Sequence, residues 1–312
     1  MRYLSATLII ASIMLVAPKP AAGWNKAGHM VTGAIAYSEL KASDPDAVKQ
    51  VVELLKNLPE YRSKWLPAIR RSPVGLRNHD LYLFMFAARW PDDIRDKPNL
   101  HCGNCHFINY GFKPAGQPDS VVVKDPLEVN VEKSFDEKLA IVRDSNSTPL
   151  EKAMAVAWIF HLVGDVHQPL HTSALFTTQF PDGDRGGNLF FIRTTNTART
   201  TTNLHSFWDG LVITSEGFVA VRDKANDLRS RTSHRRAALL ELSEKDFHDW
   251  SNVESFSAAK IHAYRMGALV SGADKDHGEV LPKDYRNINR PLAERRMVLA
   301  GYRIADILKD AF

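Results

Sequence analysis

The middle of the chain contains a segment that restricts the kind of fold the rest can adopt. PLEKAMAVAWIFHLVGD, residues 149–165, starts with a proline behind Ser147 and Thr148, which is the usual beginning of a helix. Its residues are apolar on nearly every face, so this helix is predicted to lie buried at the centre of a helical domain. Two polar side chains, His161 and Asp165, are four residues apart and project from one face. In apolar surroundings such side chains need a partner or a metal ion.

Most of the remaining chain also has helical apolar spacing, and this predicts an all-α fold. The other predicted helices are 46–58 behind Asp44-Pro45, 79–95 with its end near Trp90-Pro91, 131–144, 225–243, 250–270 and 290–312. Residues 188–203 combine β-branched and aromatic residues with a polar centre, which predicts a short β-hairpin or a long loop. No repeat or linker divides the sequence, so residues 24–312 are expected to form one multi-helix domain.

The first 23 residues have the pattern of a secretory signal peptide. Arg2 precedes an apolar stretch, Leu4 to Ala17, and Ala21 and Gly23 occupy the small-residue positions of a cleavage site. Cleavage there leaves Trp24 as the first residue of a secreted or periplasmic protein. The alternative is an uncleaved anchor or a buried first helix. Nothing later in the sequence is apolar enough to span a membrane, so no stable membrane association is expected.

Two cysteines, Cys102 and Cys105, stand in HCGNCHF. A lone CxxC is compatible with a redox pair, with half of a zinc site or with a disulfide that closes a tight loop, and an oxidising compartment favours the disulfide. The formal net charge of +4 is too small to indicate a nucleic-acid binder. A site for a polyanion would have to be formed locally, by metal ions or by a few cations.

Histidine and aspartate recur in motifs that suit metal binding. In HLVGDVHQPLH, residues 161–171, Pro169 ends the helix before His171, and NLHSFWD repeats the four-residue spacing with His205 and Asp209. A single His–Asp spacing of this kind is readily explained by a hydrogen-bonded pair. That explanation is weaker when the same spacing occurs twice. The candidate ligands are His29, Asp92, His106, His161, Asp165, His171, His205 and Asp209. Because zinc takes about four ligands of these types, the set predicts two or three ions.

These motifs resemble those of the secreted zinc-dependent single-strand nucleases of fungi and plants, the class I or S-one/P-one nucleases, which are related to bacterial zinc-dependent phospholipase C. The matching motifs are W-x(4)-H at 24–29, W-[AP]-D-x-x-[RK] at 90–95, H-[FY]-I at 106–108, HLVGDVHQPLH at 161–171, GGN at 186–188 and NLHxxWD at 203–209. The resemblance therefore runs from Trp24 to Asp209, and it implies the helical fold of that superfamily.

The resemblance also implies three zinc ions and distributes the candidate ligands among them. One ion is assigned to Asp92, His106, His161 and Asp165. A second takes the amine and carbonyl oxygen of Trp24, with His29 and the bridging Asp165. The third takes His171, His205 and Asp209. The amine of Trp24 becomes a nitrogen ligand only when the leader has been removed, so signal-peptide cleavage would complete the site.

Further residues in the same motifs are expected to act on the substrate. The resemblance gives Asp92 the role of orienting the nucleophile and Arg95 that of steadying phosphate charge, with a salt bridge as the alternative for Arg95. Phe107 is expected to stack on an unpaired base, unless it is an aromatic residue of the core. Asn109 replaces an aspartate common in fungal members, and Asn188 either lines the substrate cleft or serves its turn.

Together these features predict a monomeric, exported enzyme that hydrolyses phosphodiester bonds of single-stranded DNA or RNA to 5′-phosphorylated products, with removal of 3′-phosphate from nucleotides as a second activity. One rival is a phospholipase C-like phosphodiesterase, but Asp209 stands where the phospholipases have glutamate. The other rival is an exported zinc-binding protein without turnover, which leaves Arg95 and Phe107 without a role.

Overall fold

Helices make up most of the structure, a computed structural model that describes residues 24–312. The predicted signal peptide, residues 1–23, lies outside the described residues. The helices are α1 (Lys26–Ser43), α2 (Pro45–Leu55), α3 (Leu66–Arg71), α4 (His79–Asp93), α5 (Val131–Arg143), α6 (Pro149–Val166), α7 (Leu204–Asp209), α8 (Phe218–Ser230), α9 (Phe247–Asp249), α10 (Phe256–Ala258) and α11 (Tyr285–Ala311). The π-helical segments are Tyr61–Trp65, Trp250–Ser255 and Ala259–Ala263, and the strands are β1 (Tyr110–Phe112), β2 (Ser173–Leu175), β3 (Phe191–Arg193), β4 (Thr202–Asn203) and β5 (Glu279–Val280). With 60% helix and 6% strand in a single domain, the mostly helical fold class is confirmed.

The central helix α6 begins and packs as predicted. The Thr148 hydroxyl accepts a hydrogen bond from the backbone N–H of Glu151, whose carboxylate accepts one from the backbone N–H of Thr148. Every residue from Ala155 to Val166 is buried, and α4 and α5 pack against the helix. His161 and Asp165 are therefore held on a rigid element inside the domain.

Helix α1 is a second buried helix, although its apolar spacing predicts none. All residues from Ala27 to Ala36 are buried, because α4 and α11 pack against it. A Cβ atom on Gly33 would lie 2.5 Å from the Phe84 carbonyl oxygen, so this glycine permits close contact with α4. Glycine lowers helix propensity, and Gly28 and Gly33 weaken the local signal for this helix. Within residues 24–312, no helix is both long enough and apolar enough to cross a bilayer.

The predicted end of α4 is wrong. The helix does not stop at Trp90-Pro91 but continues to Asp93, with Pro91 inside it. A proline in the last turn removes only one intrahelical hydrogen bond, and the burial of Trp90 and Pro91 offsets that loss. The two additional residues matter because one of them is Asp92.

The predicted helix 225–243 is also wrong in its second half. Helix α8 ends at Ser230, and three short 3-10 turns follow it. Arg229 and Arg236 both bind the carboxylate of Glu39, which is far away in sequence. Local apolar periodicity cannot predict ion pairs between residues so far apart in sequence. These pairs hold residues 229–236 against α1.

Two small sheets complete the domain. The predicted hairpin within 188–203 is present, because β3 pairs antiparallel with β4, and β5 adds a parallel strand at the other edge. The sequence does not predict the parallel pair of β1 and β2. Beside it, the Ile108 N–H donates to the His171 carbonyl oxygen over 2.8 Å, so the segments that follow His106 and His171 run side by side.

A buried network of charged groups joins α11 to the end of α6. Arg303 donates from Nη1 to Nε2 of His167 (2.8 Å) and from Nη2 to Oε1 of Glu254 (2.6 Å). Arg296 binds the other carboxylate oxygen of Glu254 and the Ser255 hydroxyl. Arg296 and Arg303 are only 4% and 1% exposed. The Glu254 carboxylate thus binds two buried guanidinium groups. These groups lie next to the C-terminal end of α6, the helix that carries His161 and Asp165.

Candidate metal centre

The eight histidine and aspartate candidates lie in one buried region. They come from α1, the end of α4, the turn Asn104–His106, α6, the turn Pro169–Thr172 and α7. Their ligand atoms form three groups, within each of which the atoms are at most 4.8 Å apart: His29, Asp92 and His161; His106, His161 and Asp165; and His171, His205 and Asp209. The last group is the same set that the resemblance implies for one ion. The first joins two residues, His29 and Asp92, that the resemblance assigns to neighbouring ions.

The ring nitrogens in these groups point at one another. His161 Nε2 lies 3.0 Å from His106 Nδ1, and His205 Nε2 lies 2.9 Å from His171 Nε2. Neither ring nitrogen of His29 has a hydrogen-bond partner among residues 24–312. Buried polar atoms normally have partners, and a cation at the point where the lone pairs converge would supply one. The residues present therefore fit a bound metal ion.

Backbone carbonyl groups fix the orientation of three of these rings. His161 Nδ1 donates to the Ala88 oxygen (2.8 Å), His171 Nδ1 to the His106 oxygen (2.7 Å) and His205 Nδ1 to the Gly186 oxygen (2.6 Å). Because Nδ1 carries the proton in each case, Nε2 is left as a lone-pair donor. This is the tautomer that metal binding through Nε2 requires.

The loop DRGGN, residues 184–188, contains the carbonyl group that accepts the hydrogen bond from His205. Gly186 and Gly187 have φ angles of 62° and 79°, in the left-handed region that favours glycine. A Cβ atom on Gly186 would lie 2.3 Å from the Leu170 carbonyl oxygen, so no larger residue fits there. Asn188 donates from Nδ2 to the Arg185 carbonyl oxygen over 2.7 Å, and in this structure it serves the turn.

Burial dominates the electrostatics of the region. It lowers the pKa of His29 and of His106 well below the usual value, and the neighbouring His161 lowers both further. Burial likewise raises the pKa of Asp165 and of Asp209 well above the ordinary range. A bound cation would favour the carboxylate form of both aspartates and the neutral form of the imidazoles.

Trp24 begins the described chain beside α7. Its side chain is fully buried. The Asn25 side chain caps α1 by accepting from the Gly28 N–H (2.9 Å), and the Asn25 N–H lies 3.4 Å from the Asp209 carbonyl oxygen. The backbone at Trp24 therefore runs next to the end of the helix that carries Asp209. Ligation by the Trp24 amine stays a prediction.

Of the predicted substrate residues, Arg95 contacts a candidate ligand directly. Arg95 donates from Nη2 to Oδ1 of Asp92 over 2.7 Å, and its side chain is 27% exposed whereas that of Asp92 is 1% exposed. The guanidinium group therefore lies between the buried carboxylate and solvent. Phe107 and Asn109 are half-buried on either side of the buried Ile108.

Cys102 and Cys105 form a disulfide, as predicted. The bond closes the short loop directly before His106. Loop closure restricts the backbone that positions this ring.

Gln168 contacts a candidate ligand, and the sequence analysis did not single it out. Its Nε2 donates to Oδ1 of Asp209 over 2.7 Å, and its Oε1 accepts from the Leu170 N–H over 2.7 Å. The side chain is fully buried. The signal in the sequence was its position between two candidate ligands in HLVGDVHQPLH, where a buried amide needs partners on both sides.

Comparison with known proteins agrees with this geometry. The family model described as S1/P1 Nuclease matches residues 24–312. The chain belongs to the S1/P1 nuclease family. Among curated relatives, it is similar to Endonuclease 1 of Arabidopsis thaliana, with 24% identity over 318 residues, 98% of this chain and 92% of the relative. It is also similar to Endonuclease 4 (24% over 319 residues, 93% and 89%) and Endonuclease 3 (25% over 300 residues, 93% and 89%) of the same plant. Membership of the S1/P1 nuclease family supports nuclease activity, and the predicted resemblance is confirmed.

Proposed function

We propose that this chain is an exported zinc-dependent endonuclease that hydrolyses phosphodiester bonds of single-stranded DNA or RNA to 5′-phosphorylated products. Removal of 3′-phosphate from nucleotides is proposed as a second activity of the same centre. The observation that carries the proposal is the convergence of eight buried histidine and aspartate side chains into three groups, in a member of a nuclease family. Imidazole with carboxylate suits zinc better than calcium or magnesium, which prefer shells of oxygen atoms.

We assign three zinc ions to the centre. The first is held by Asp92, His106, His161 and Asp165, the second by His29, Asp165 and the amine and carbonyl oxygen of Trp24, and the third by His171, His205 and Asp209. The assignment to Trp24 requires removal of residues 1–23 and therefore export to the periplasm or the medium, and we propose a monomer there. Zinc ions in such a centre supply a nucleophile from water near neutral pH and stabilise charge on a phosphodiester.

The side chains around the centre bind and orient the substrate. Asp92 holds the attacking water with one carboxylate oxygen, while its hydrogen bond to Arg95 fixes the orientation of the carboxylate. Arg95 places positive charge at the solvent side of the centre, where the phosphate enters. Phe107, which is half-buried, offers its ring for an unpaired base, with Asn109 two residues on as a polar contact. A base paired in a duplex could not stack there, which accounts for a preference for single strands.

The proposal is tested with purified protein on matched single-stranded and double-stranded DNA, before and after chelation and after zinc is restored. We expect cleavage of single strands that chelation abolishes and zinc restores, and a large loss of turnover in Arg95→Ala with unchanged zinc content. A phosphatidylcholine substrate serves as the comparison. Hydrolysis of that lipid without DNA cleavage, or zinc uptake without any hydrolysis, would contradict the proposal.

Gln168→Ala is expected to weaken the binding of one zinc ion by about ten- to a hundredfold, because Asp209 loses the donor that orients its carboxylate. The other two ions should bind with unchanged affinity. The measurement is competition for zinc against a coloured chelator. Gln179→Ala is the matched control, since Gln179 is exposed and donates to the Gly272 carbonyl oxygen, away from the three ligand groups. If Gln168→Ala bound three ions as tightly as the wild type, the proposal that this amide orients Asp209 for zinc binding would be wrong.

A further inference from the structure

Residues 61–77, which we name the basic tract, hold more formal positive charge than the chain has in total. They contain five basic residues and no acidic one, which gives +5 against +4 for the whole sequence. The five are Arg62, Lys64, Arg70, Arg71 and Arg77. The small net charge of the chain therefore coexists with a local concentration of cations, which is what a site for a polyanion needs.

The apolar residues of the basic tract are buried, and its cations are in solvent. The tract runs through the π-helical segment Tyr61–Trp65, α3 and the turn Leu76–Asn78. Trp65 and Ile69 are buried, and the Trp65 ring stacks on that of Phe86 in α4 with centroids 5.7 Å apart. All five basic residues are exposed. The tract is thus fixed on α4 by its apolar face and presents its charge outward.

A glycine brings the end of the basic tract back to α3. A Cβ atom on Gly75 would overlap the Ile69 carbonyl oxygen, so a larger residue could not pass so close to this helix. Arg70 and Arg71 are the last two residues of α3, and Arg77 lies in the turn that follows Gly75. These three cations therefore belong to one small region of the surface.

The five cations are not neutralised by the protein. Within residues 24–312, none of their side chains forms a hydrogen bond, an ion pair or a ring contact. The other basic stretch, residues 229–236, differs in this respect, because Arg229 and Arg236 both bind the carboxylate of Glu39. Neighbouring like charges repel one another, and a bound polyanion would relieve that repulsion.

Glu60, directly before the basic tract, ties it to the segment that carries Asp92 and Arg95. The Glu60 carboxylate is buried, accepts from Trp90 Nε1 over 2.9 Å and binds the Lys97 ammonium group. Trp90 stands two residues before Asp92. Lys97 stands two residues after Arg95. The start of the tract is therefore held next to the proposed substrate-binding pair.

We propose that the basic tract binds the phosphate backbone of the single strand beyond the phosphate that reacts at the metal centre. This inference rests on the proposed function, since it names a second surface for the same substrate. Attachment to the segment of Asp92 and Arg95 favours the strand held there over any other polyanion. Exposed cations that bind a phosphate backbone read no base sequence, and the counterions they release make the binding depend on salt.

The test neutralises the whole tract in one variant, which combines Arg62→Gln, Lys64→Gln, Arg70→Gln, Arg71→Gln and Arg77→Gln. A matched control removes the same charge from exposed side chains elsewhere that also lack an ion pair within the described chain: Arg143→Gln, Arg235→Gln, Lys275→Gln, Lys283→Gln and Lys309→Gln. A third variant keeps the charge of the tract by replacing its four arginines with lysine.

Fluorescence anisotropy gives the Kd of each zinc-loaded protein for a phosphorothioate single strand of about 20 nucleotides at several salt concentrations. The value of kcat/KM on an ordinary strand of that length and on a dinucleotide is measured in parallel, together with zinc per chain. The dinucleotide is the internal control, because it is too short to reach a surface outside the centre. Binding to phosphatidylglycerol vesicles is the comparison with another polyanionic surface.

For single strands, log Kd rises with log salt by about 0.7 per phosphate contact, so removal of five contacts lowers this slope by up to about 3.5. We expect the slope of the neutralised variant to lie below that of the control variant by at least about 1, and its Kd at low salt to rise at least about tenfold. The kcat/KM on the dinucleotide and the zinc content should stay within about twofold of the wild type. The lysine variant should bind like the wild type.

A smaller difference in slope between the neutralised and control variants would overturn the inference. So would an equal fall in kcat/KM on the dinucleotide and the long strand, or a loss of vesicle binding with unchanged Kd for the strand. If the neutralised variant does not fold, the pairs Arg62→Gln with Lys64→Gln and Arg70→Gln with Arg71→Gln replace it, and each should lower the slope by about 1.4. If the wild type bound the strand without cutting ordinary DNA, the proposed function would fail while the Kd comparison still decided the role of the basic tract.

Discussion

Asp165→Asn abolishes nuclease activity in our account, while the metal-free protein stays as stable as the wild type or becomes more stable. The carboxylate oxygens of Asp165 lie 3.3 Å from His29 Nε2, 3.0 Å from His106 Nδ1 and 3.3 Å from His161 Nε2. It is therefore the only carboxylate that we assign to two ions. Loss of a carboxylate shared by two ions would remove several kcal/mol of transition-state stabilisation, which corresponds to a fall in kcat/KM of about a thousandfold or more.

The stability of Asp165→Asn follows from the same burial. Without metal, burial and then repulsion from Asp92 raise the pKa of Asp165 well above its usual range. A folded-state pKa above the unfolded value means that this group stabilises the fold at low pH and loses that contribution as the pH rises through the folded pKa. Asparagine has the same shape and no charge. Its advantage in the metal-free protein should therefore grow with pH, which urea unfolding in the presence of chelator can measure.

Asp93→Asn is the matched control for this prediction. Asp93 follows Asp92 directly, but it pairs with Lys26 (2.6 Å) and Arg89 (2.8 Å) and belongs to none of the three groups. We expect near wild-type activity and zinc content with a small loss of stability. Wild-type activity in Asp165→Asn, or unfolding of its metal-free form, would contradict the account.

Glu254→Gln is expected to lower the free energy of unfolding by about 3–5 kcal/mol, because it leaves two buried guanidinium groups without their carboxylate. Arg303 and Arg296 both bind Glu254, and both guanidinium groups are buried. The network also holds the end of α6, so metal affinity should fall as the protein becomes less stable. Urea unfolding at pH 7 gives the measurement.

The effect of Glu254→Gln should depend on pH. Burial, the largest influence, raises the pKa of Glu254, but Arg303 and Arg296 together lower it below the usual value. The stability from this group is therefore complete above the ordinary glutamate pKa and is lost as the pH falls through the folded-state pKa. Wild type and variant should converge in acid. Glu53→Gln, which breaks only the exposed pair with Lys56, should change stability by less than about 1 kcal/mol. A comparably small effect for Glu254→Gln would contradict this prediction. It would show that the backbone carbonyl groups around the two arginines stabilise their charge without the carboxylate.

The sequence predicted the parts of the molecule that local chemistry specifies. Helix α6 has a capping residue, a proline at its first position and a continuous apolar surface, and these features do not depend on the rest of the fold. His161, Asp165, His205 and Asp209 stood out because two carboxylates and two imidazoles recurred at helical spacing in apolar surroundings. The disulfide was favoured because the sequence has only two cysteines, in one CxxC motif, behind a predicted signal peptide.

The parts that the sequence did not predict depend on distant contacts. Helix α1 is helical because α4 and α11 bury it, and its own glycines argue against a helix. The carbonyl groups that orient His161 and His205 belong to the backbone of Ala88 and Gly186, and a sequence pattern does not show where a backbone carbonyl group will point. Gln168 contacts Asp209 only because the fold brings two separate segments of the chain together.

Zinc content per chain, measured on the processed protein together with its intact mass and its cleavage of single-stranded DNA, tests the central claim most directly. The account predicts a chain that begins at Trp24, holds three zinc ions and loses all cleavage when a chelator removes them. Cleavage that persists in the chelated protein, or full activity with fewer than two zinc ions per chain, would contradict it.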